Sequence, residues 1–171
     1  MRDSAGKEWR GKLSEEWTMR EWLKLVGRVA DLKSAYKQLL RNPIDRALSV
    51  IAVRGPDASV ALFKATSLMF GEVAAVYAFL RFSRASAALA AKLHALVVVE
   101  FFDDFTQLEA QQSSDSAQVA MESLIALLGW ELSITEEKRR PFEDKFVSLG
   151  VQVDLSKLVG GAILLSNKPG R

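Results

Sequence analysis

Hydrophobic and polar positions fall into distinct patterns along this chain, and each pattern predicts an element. Residues 4–24 carry Trp9, Leu13, Trp17 and Leu23 among many charges, a spacing that fits one amphipathic helix or two short ones. Leu25-Val26-Gly27-Arg28-Val29-Ala30 reads as a strand ending at Asp31. Tyr36-Lys37-Gln38-Leu39-Leu40 suggests a short helical turn, stopped by Asn42-Pro43. Residues 48–54 and 58–65 read as two strands joined by the turn signal Gly55-Pro56-Asp57-Ala58. An alanine-rich helix follows from about Glu72 to Leu93, and residues 96–102 and 105–109 form a second hairpin. Ser113-Ser114-Asp115 is a good N-cap for a helix that runs to Leu128, with Gly129 as its C-cap. Residues 131–135, 145–153 and 161–165 look like strands. No internal repeat or low-complexity linker interrupts the order.

Strand, hairpin, helix, hairpin, helix and strands make an α+β fold, an antiparallel sheet with helices packed on one face. The long apolar run before Phe101 predicts the central strand of that sheet, and acids at strand ends would gather at its open rim.

Composition narrows the chemistry. The 171 residues amount to one domain or a piece of one, and 49% hydrophobic content is enough to bury a core. The formal charge of +2 neither demands nor excludes a polyanionic partner. Without cysteine there are no disulfides, thiolate nucleophiles or zinc–thiolate sites. His94 is the only histidine and sits in an alanine/leucine stretch that reads as a helix end, which suits a structural or solvent-exposed role. Met1-Arg2-Asp3-Ser4-Ala5-Gly6-Lys7 has no apolar signal region. The apolar region from Val60 to Leu80 is broken by Lys64 and Glu72, and no uncharged stretch approaches the roughly 20 residues that span a bilayer. The expectation is a soluble intracellular protein, cytoplasmic or nuclear, neither secreted nor membrane-spanning.

The feature richest in chemistry is Phe101-Phe102-Asp103-Asp104, set between Leu96-Val97-Val98-Val99 and Phe105. Adjacent carboxylates at the tip of a buried hairpin repel and do not both stay ionised easily without a cation. Asp31 ends an upstream strand in the same way. Brought together, these acids would hold a pair of Mg²⁺ ions for phosphoryl transfer. The plain structural alternative is that Asp103 and Asp104 only form a turn.

Four segments in order resemble the motifs of a reverse transcriptase palm domain of the retrotransposon type. They are Asp31-Leu32-Lys33-Ser34-Ala35-Tyr36-Lys37-Gln38-Leu39, Leu68-Met69-Phe70-Gly71-Glu72-Val73-Ala74, Phe101-Phe102-Asp103-Asp104, and a stretch from Leu128-Gly129-Trp130-Glu131-Leu132-Ser133 through Lys138 to Phe146-Val147-Ser148-Leu149-Gly150. The resemblance covers roughly residues 25–165. It implies RNA-directed DNA polymerase activity, with an RNA or DNA template-primer and deoxynucleoside triphosphates as partners, alongside the remainder of a retrotransposon polyprotein. It implies two Mg²⁺ ions, with Mn²⁺ as a substitute, on Asp31, Asp103, Asp104 and the carbonyl of Leu32. Ser34 and Ala35 would offer backbone N–H groups to the phosphates. Tyr36 would be the steric gate under the incoming sugar, and Phe70 and Gly71 the floor of the nucleotide pocket. Lys138, or Arg139 beside it, would protonate the leaving pyrophosphate. Phe146, Leu149 and Gly150 would form the primer grip. Each has a bland counterpart: core packing for Tyr36 and Phe146, helix entry for Phe70 and Gly71, and a solvated charge cluster for Lys138.

The pattern departs from the family in places. Met69 and Leu40 stand where proline is usual. Only about 30 residues precede Asp31, and nothing after Lys168 can build a thumb, so fingers and thumb are expected to be largely missing. The domain reading is a helical N-terminal extension (1–24), a palm-like domain (25–166) and a tail (167–171). Phosphate contacts by Lys and Arg dominate polymerase affinity, and a lone palm lacks most of them. The alternative function is a non-enzymatic retroelement remnant with at most weak nucleic-acid binding.

Overall fold

The computed structural model describes residues 24–135 and 139–168. The predicted N-terminal helix and Lys138 lie outside the described residues. Within them the fold is α+β, with antiparallel sheets and two α-helices.

The main sheet has three strands, β1 (Leu25–Asp31), β4 (Val97–Phe101) and β5 (Asp104–Ala110), in the order β1-β5-β4. β5 is therefore the centre, and the apolar run of β4 is an edge. Alternation explains this. In β4 only Val98 joins the core, while Val97, Val99 and Phe101 point outward and stay exposed. β5 buries Phe105 and Gln107 completely enough to occupy the middle.

Helices α1 (Val73–His94) and α2 (Ser114–Leu127) cover one face of this sheet. α1 buries Ala75, Phe79, Ser83, Ser86, Ala87 and Ala90, a stripe at helical spacing, and α2 buries Ala117, Met121, Leu124 and Ile125. The small residues of α1 let it lie close to the strands, and Phe79 and Phe105 fill the centre of the core. α1 ends where Ala95 turns left-handed (φ 55°) and its N–H returns to the Ala90 carbonyl. By length and composition α1 is the one described helix apolar enough to cross a membrane, a test that a core helix also passes.

β2 (Val50–Arg54) and β3 (Val60–Lys64) form a separate two-stranded hairpin whose residues are exposed on both faces. Pro43 does not merely stop the preceding turn. It opens a 3-10 helix, Pro43–Leu48, capped by the Asn42 side chain accepting from the Ile44 N–H. The stretch 145–153 is two strands rather than one. β6 (Lys145–Ser148) and β7 (Val151–Asp154) turn at Leu149 and Gly150, both at positive φ, and β8 (Leu164–Asn167) completes a third sheet. Residues 131–135 contribute one isolated bridge, Leu32 with Leu132, in place of a strand.

Candidate active site

The β1–β5 ladder sets the position of the acids. Its register places Asp31 directly opposite Asp104, 73 positions later in the sequence. Phe102 and Asp103 form the two-residue turn that joins β4 to β5, with Phe102 in the left-handed region (φ 55°). The Leu32 N–H donates to the Asp103 carbonyl at 3.1 Å, which ties the turn to the end of β1. Period-2 alternation then puts Asp31, Val29, Asp104 and Thr106 on the sheet face away from the helices. There a cleft of about 680 Å³ is lined by Asp31, Asp103 and Asp104 on one side and by Phe146, Val147 and Leu149 on the other. Arg140, Lys145 and Lys168 also reach it.

The segment after Asp31 is pinned from below. Lys33 N–H donates to the Glu131 carbonyl at 2.9 Å, and Lys33 Nζ pairs with the Glu131 carboxylate at 2.6 Å. Gln38 accepts from the Glu131 N–H and donates to the Glu131 carbonyl. The chain then takes a strained path: Ser34 (φ 58°) and Ala35 (φ 36°) are consecutive non-glycine residues at positive φ. Such conformations cost on the order of 1–3 kcal/mol each and concentrate at functional sites. Among the described residues the N–H groups of Ala35 and Tyr36 have no backbone acceptor.

Tyr36 is buried between Phe70 and Phe79, with ring centroids 4.9 and 4.8 Å away. Burial, and then the Asp103 carboxylate, push its phenol above the ordinary tyrosine value. Tyr36 therefore lies within electrostatic reach of the acid turn. Phe70 itself is exposed and meets Tyr36 edge-on, and Gly71 at φ 92° faces open space. Arg41 pairs with Glu72 just beyond, and hydrogen bonds from Arg41 hold that carboxylate below the usual glutamate range.

On the other wall Phe146 packs on Gly27, and the hydroxyls of Thr106 and Ser148 hydrogen-bond at 2.7 Å. At the β6–β7 turn Leu149 is exposed and lines the cleft, with Gly150 half-buried behind it.

The helix side of β1 carries a network that the sequence reading missed. Arg28 is 2% exposed, donating from Nε to Gln107 at 2.8 Å and from Nη1 to Glu122 at 3.1 Å. Its guanidinium also stacks on the Phe142 ring. Arg139 donates to the other Glu122 oxygen at 2.9 Å. Burial pushes the Glu122 carboxyl up, but hydrogen bonds from Arg28, Arg139 and Gln118 outweigh it and hold the group below the usual range. The available signal was two polar residues, Arg28 and Gln107, each in step with buried apolar neighbours two positions along its strand, Val26 and Ala30 in β1 and Phe105 in β5. Arg139 is thus spent on Glu122, and His94 ends α1 exposed to solvent.

The donor chemistry suits a hard divalent cation: three carboxylates, with no thiolate or imidazole nearby. Among the described residues, however, no group of three or more Asp, Glu, His or Cys side chains is gathered closely enough to hold a metal ion. The fit is one of backbone placement and ligand type. Asp31, Asp103, Asp104 and Arg140 are each engaged by neighbouring groups. Leu32 is buried at 1% exposure, so its carbonyl is a less accessible ligand than the aspartates. Compared with models of known families and with curated proteins, the chain matches none.

Proposed function

We propose that this chain is the palm portion of an RNA-directed DNA polymerase of the retrotransposon type. The observation that carries the reading is the pairing of Asp31 with Asp104, with Asp103 in the adjoining turn. In this reading the three carboxylates hold Mg²⁺ or Mn²⁺. The metal, when bound, supplies Lewis-acid charge at the transferring phosphoryl group and acidifies the attacking hydroxyl.

The chain's own residues do the rest. The N–H groups of Ser34 and Ala35, which among the described residues have no backbone acceptor, are offered to the phosphates, and that of Tyr36 beside them is in the same state. The Tyr36 ring, held between Phe70 and Phe79, is a rigid wall beneath the sugar. Phe70 offers an exposed aromatic surface to a base. The Leu149-Gly150 turn faces the acids across the cleft, where a primer end would lie.

A Mg²⁺-dependent primer-extension assay tests this on the chain, with Asp104→Asn as control. Extension that needs the metal and is lost in the variant supports the reading. Extension that survives Asp104→Asn rules out these acids as its centre. A second reading, a retroelement remnant without activity, draws on the β2–β3 hairpin, which is almost wholly exposed. It predicts no extension and no effect of Mg²⁺ on melting.

A further inference from the structure

β4 is an outer strand of the main sheet, and its hydrogen-bonding groups divide by alternation. Phe102 and Asp103 make a two-residue turn, so Phe101 and Asp104 close it as a hydrogen-bonded pair, and Val99 with Thr106 and Val97 with Leu108 follow in step. The N–H and C=O groups of Val98 and Glu100 therefore point away from β5. Among the described residues these four groups have no backbone partner. Val97, Val99 and Phe101 share the face away from the helices and are 57%, 65% and 54% exposed. Sheet proteins blunt such an edge with lysine, proline or a bulge, and β4 carries none of them.

This edge is complementary to a second copy of itself. A two-fold axis at Val99 sets Val98 of each copy opposite Glu100 of the other, and all four outward groups pair at once. Val99 then meets Val99, and each Val97 meets Phe101, a β-branched side chain against an aromatic one. Glu100 faces a valine and already holds Arg84 at 3.8 Å. The neighbouring registers are worse. An axis at Glu100 puts two carboxylates directly opposite one another. An axis at Val98 calls on Leu96, whose N–H already donates to the Ala90 carbonyl.

We propose that β4 pairs antiparallel with β4 of a second copy, centred on Val99, and joins two three-stranded sheets into one of six strands. The contact is isologous and closes at a dimer. A five-residue edge covers less than the ~800 Å² per partner of a standard interface, so the dimer is weak and concentration-dependent. The pairing does not depend on the metal reading of the acid cleft.

Sedimentation equilibrium of the full chain, at loadings up to about 1 mM, should show reversible exchange between monomer and dimer. The chain has no cysteine, so single cysteines report the register. The two Val99 positions face each other within disulfide reach, whereas the two Val97 positions lie roughly 14 Å apart. On mild oxidation Val99→Cys should form a covalent dimer at least about tenfold faster than Val97→Cys. Val99→Lys and Val99→Glu change an exposed side chain and should keep the melting temperature. Each alone should be monomeric, because like charges meet at the axis, and an equimolar mixture should dimerise again. A chain that stays monomeric, a dimer that survives Val99→Lys, or equal cross-linking of the two cysteine variants overturns the proposal.

Discussion

The ring of Phe146 occupies the space that a side chain on Gly27 would need. This contact seats β6 on the open face of β1, four residues before Asp31, and so holds the Leu149-Gly150 turn over the acid cleft. Gly27→Ala must push Phe146 away, since a ring in a packed layer has little freedom to yield. The expected loss is roughly 1–3 kcal/mol, as for other overpacked sites. Urea denaturation measures it, and Phe146→Leu in the same chain should restore part of the loss. An unaffected midpoint would mean that β6 does not pack tightly here.

Metal addition is the second test. Asp31 and Asp104 sit opposite one another in the ladder, so a cation binding both stabilises the native state by mass action. Millimolar Mg²⁺ or Mn²⁺ should raise the melting temperature by roughly 2–4 °C for each kcal/mol of linkage in a chain of this size. Asp104→Asn should shrink the shift. A melting temperature indifferent to both ions argues that no metal binds.

The third concerns Tyr36. Its phenol is raised by burial and by Asp103, so Asp103→Asn should lower its titration midpoint while leaving it above that of an exposed tyrosine. Tyr77→Phe removes the other tyrosine, and ultraviolet absorbance then follows Tyr36 alone. The sign for stability follows. A phenol whose folded value is raised contributes fully below its unfolded value, and that contribution disappears as pH rises through the folded value. If the ring is also the sugar's wall, Tyr36→Val in an active polymerase should admit ribonucleotides while deoxynucleotide use persists. Equal loss of both assigns Tyr36 to packing.

The Glu122 network gives the fold an acid-sensitive contribution. Its carboxyl is held below the ordinary value, so its contribution is present above the unfolded carboxylate range and is lost as pH falls through the folded value. Glu122→Gln should flatten the fall of the urea midpoint as pH drops below the ordinary glutamate range. Glu122→Ala leaves the Arg28 charge buried without its partner and should cost about 3–5 kcal/mol at neutral pH. A full acid-dependent slope in Glu122→Gln would place the sensitivity elsewhere.

What the sequence disclosed depended on whether a feature was local. The β4–β5 hairpin and both long helices were legible, because period 2, period 3.6 and their punctuation are written into consecutive residues. The order of strands in the sheet was not. An uninterrupted run such as Val97-Val98-Val99 suggests burial on both faces, yet β4 lies at the edge and the polar-looking β5 lies at the centre. At the centre Gln107 accepts at Oε1 from Arg28, 79 positions away, while its Nε2 is buried without a partner, and no short window of sequence contains both residues. The turn at Leu149 was hidden for another reason: a leucine at φ 50° gives no turn signal, so β6 and β7 looked like one strand. The acids were found as residues, but their meeting is a property of the ladder.

The β2–β3 hairpin contacts chiefly itself, and Val50, Val53, Val60, Leu62 and Phe63 are exposed on it. Two strands alone are marginal in water. Its amide protons should therefore exchange with solvent on a clock of their own, much faster than those of β5, whatever the stability of the core. Those same protons make the hairpin a built-in reporter: any molecule or chain segment that settles on it will be seen first as a slowing of that local clock.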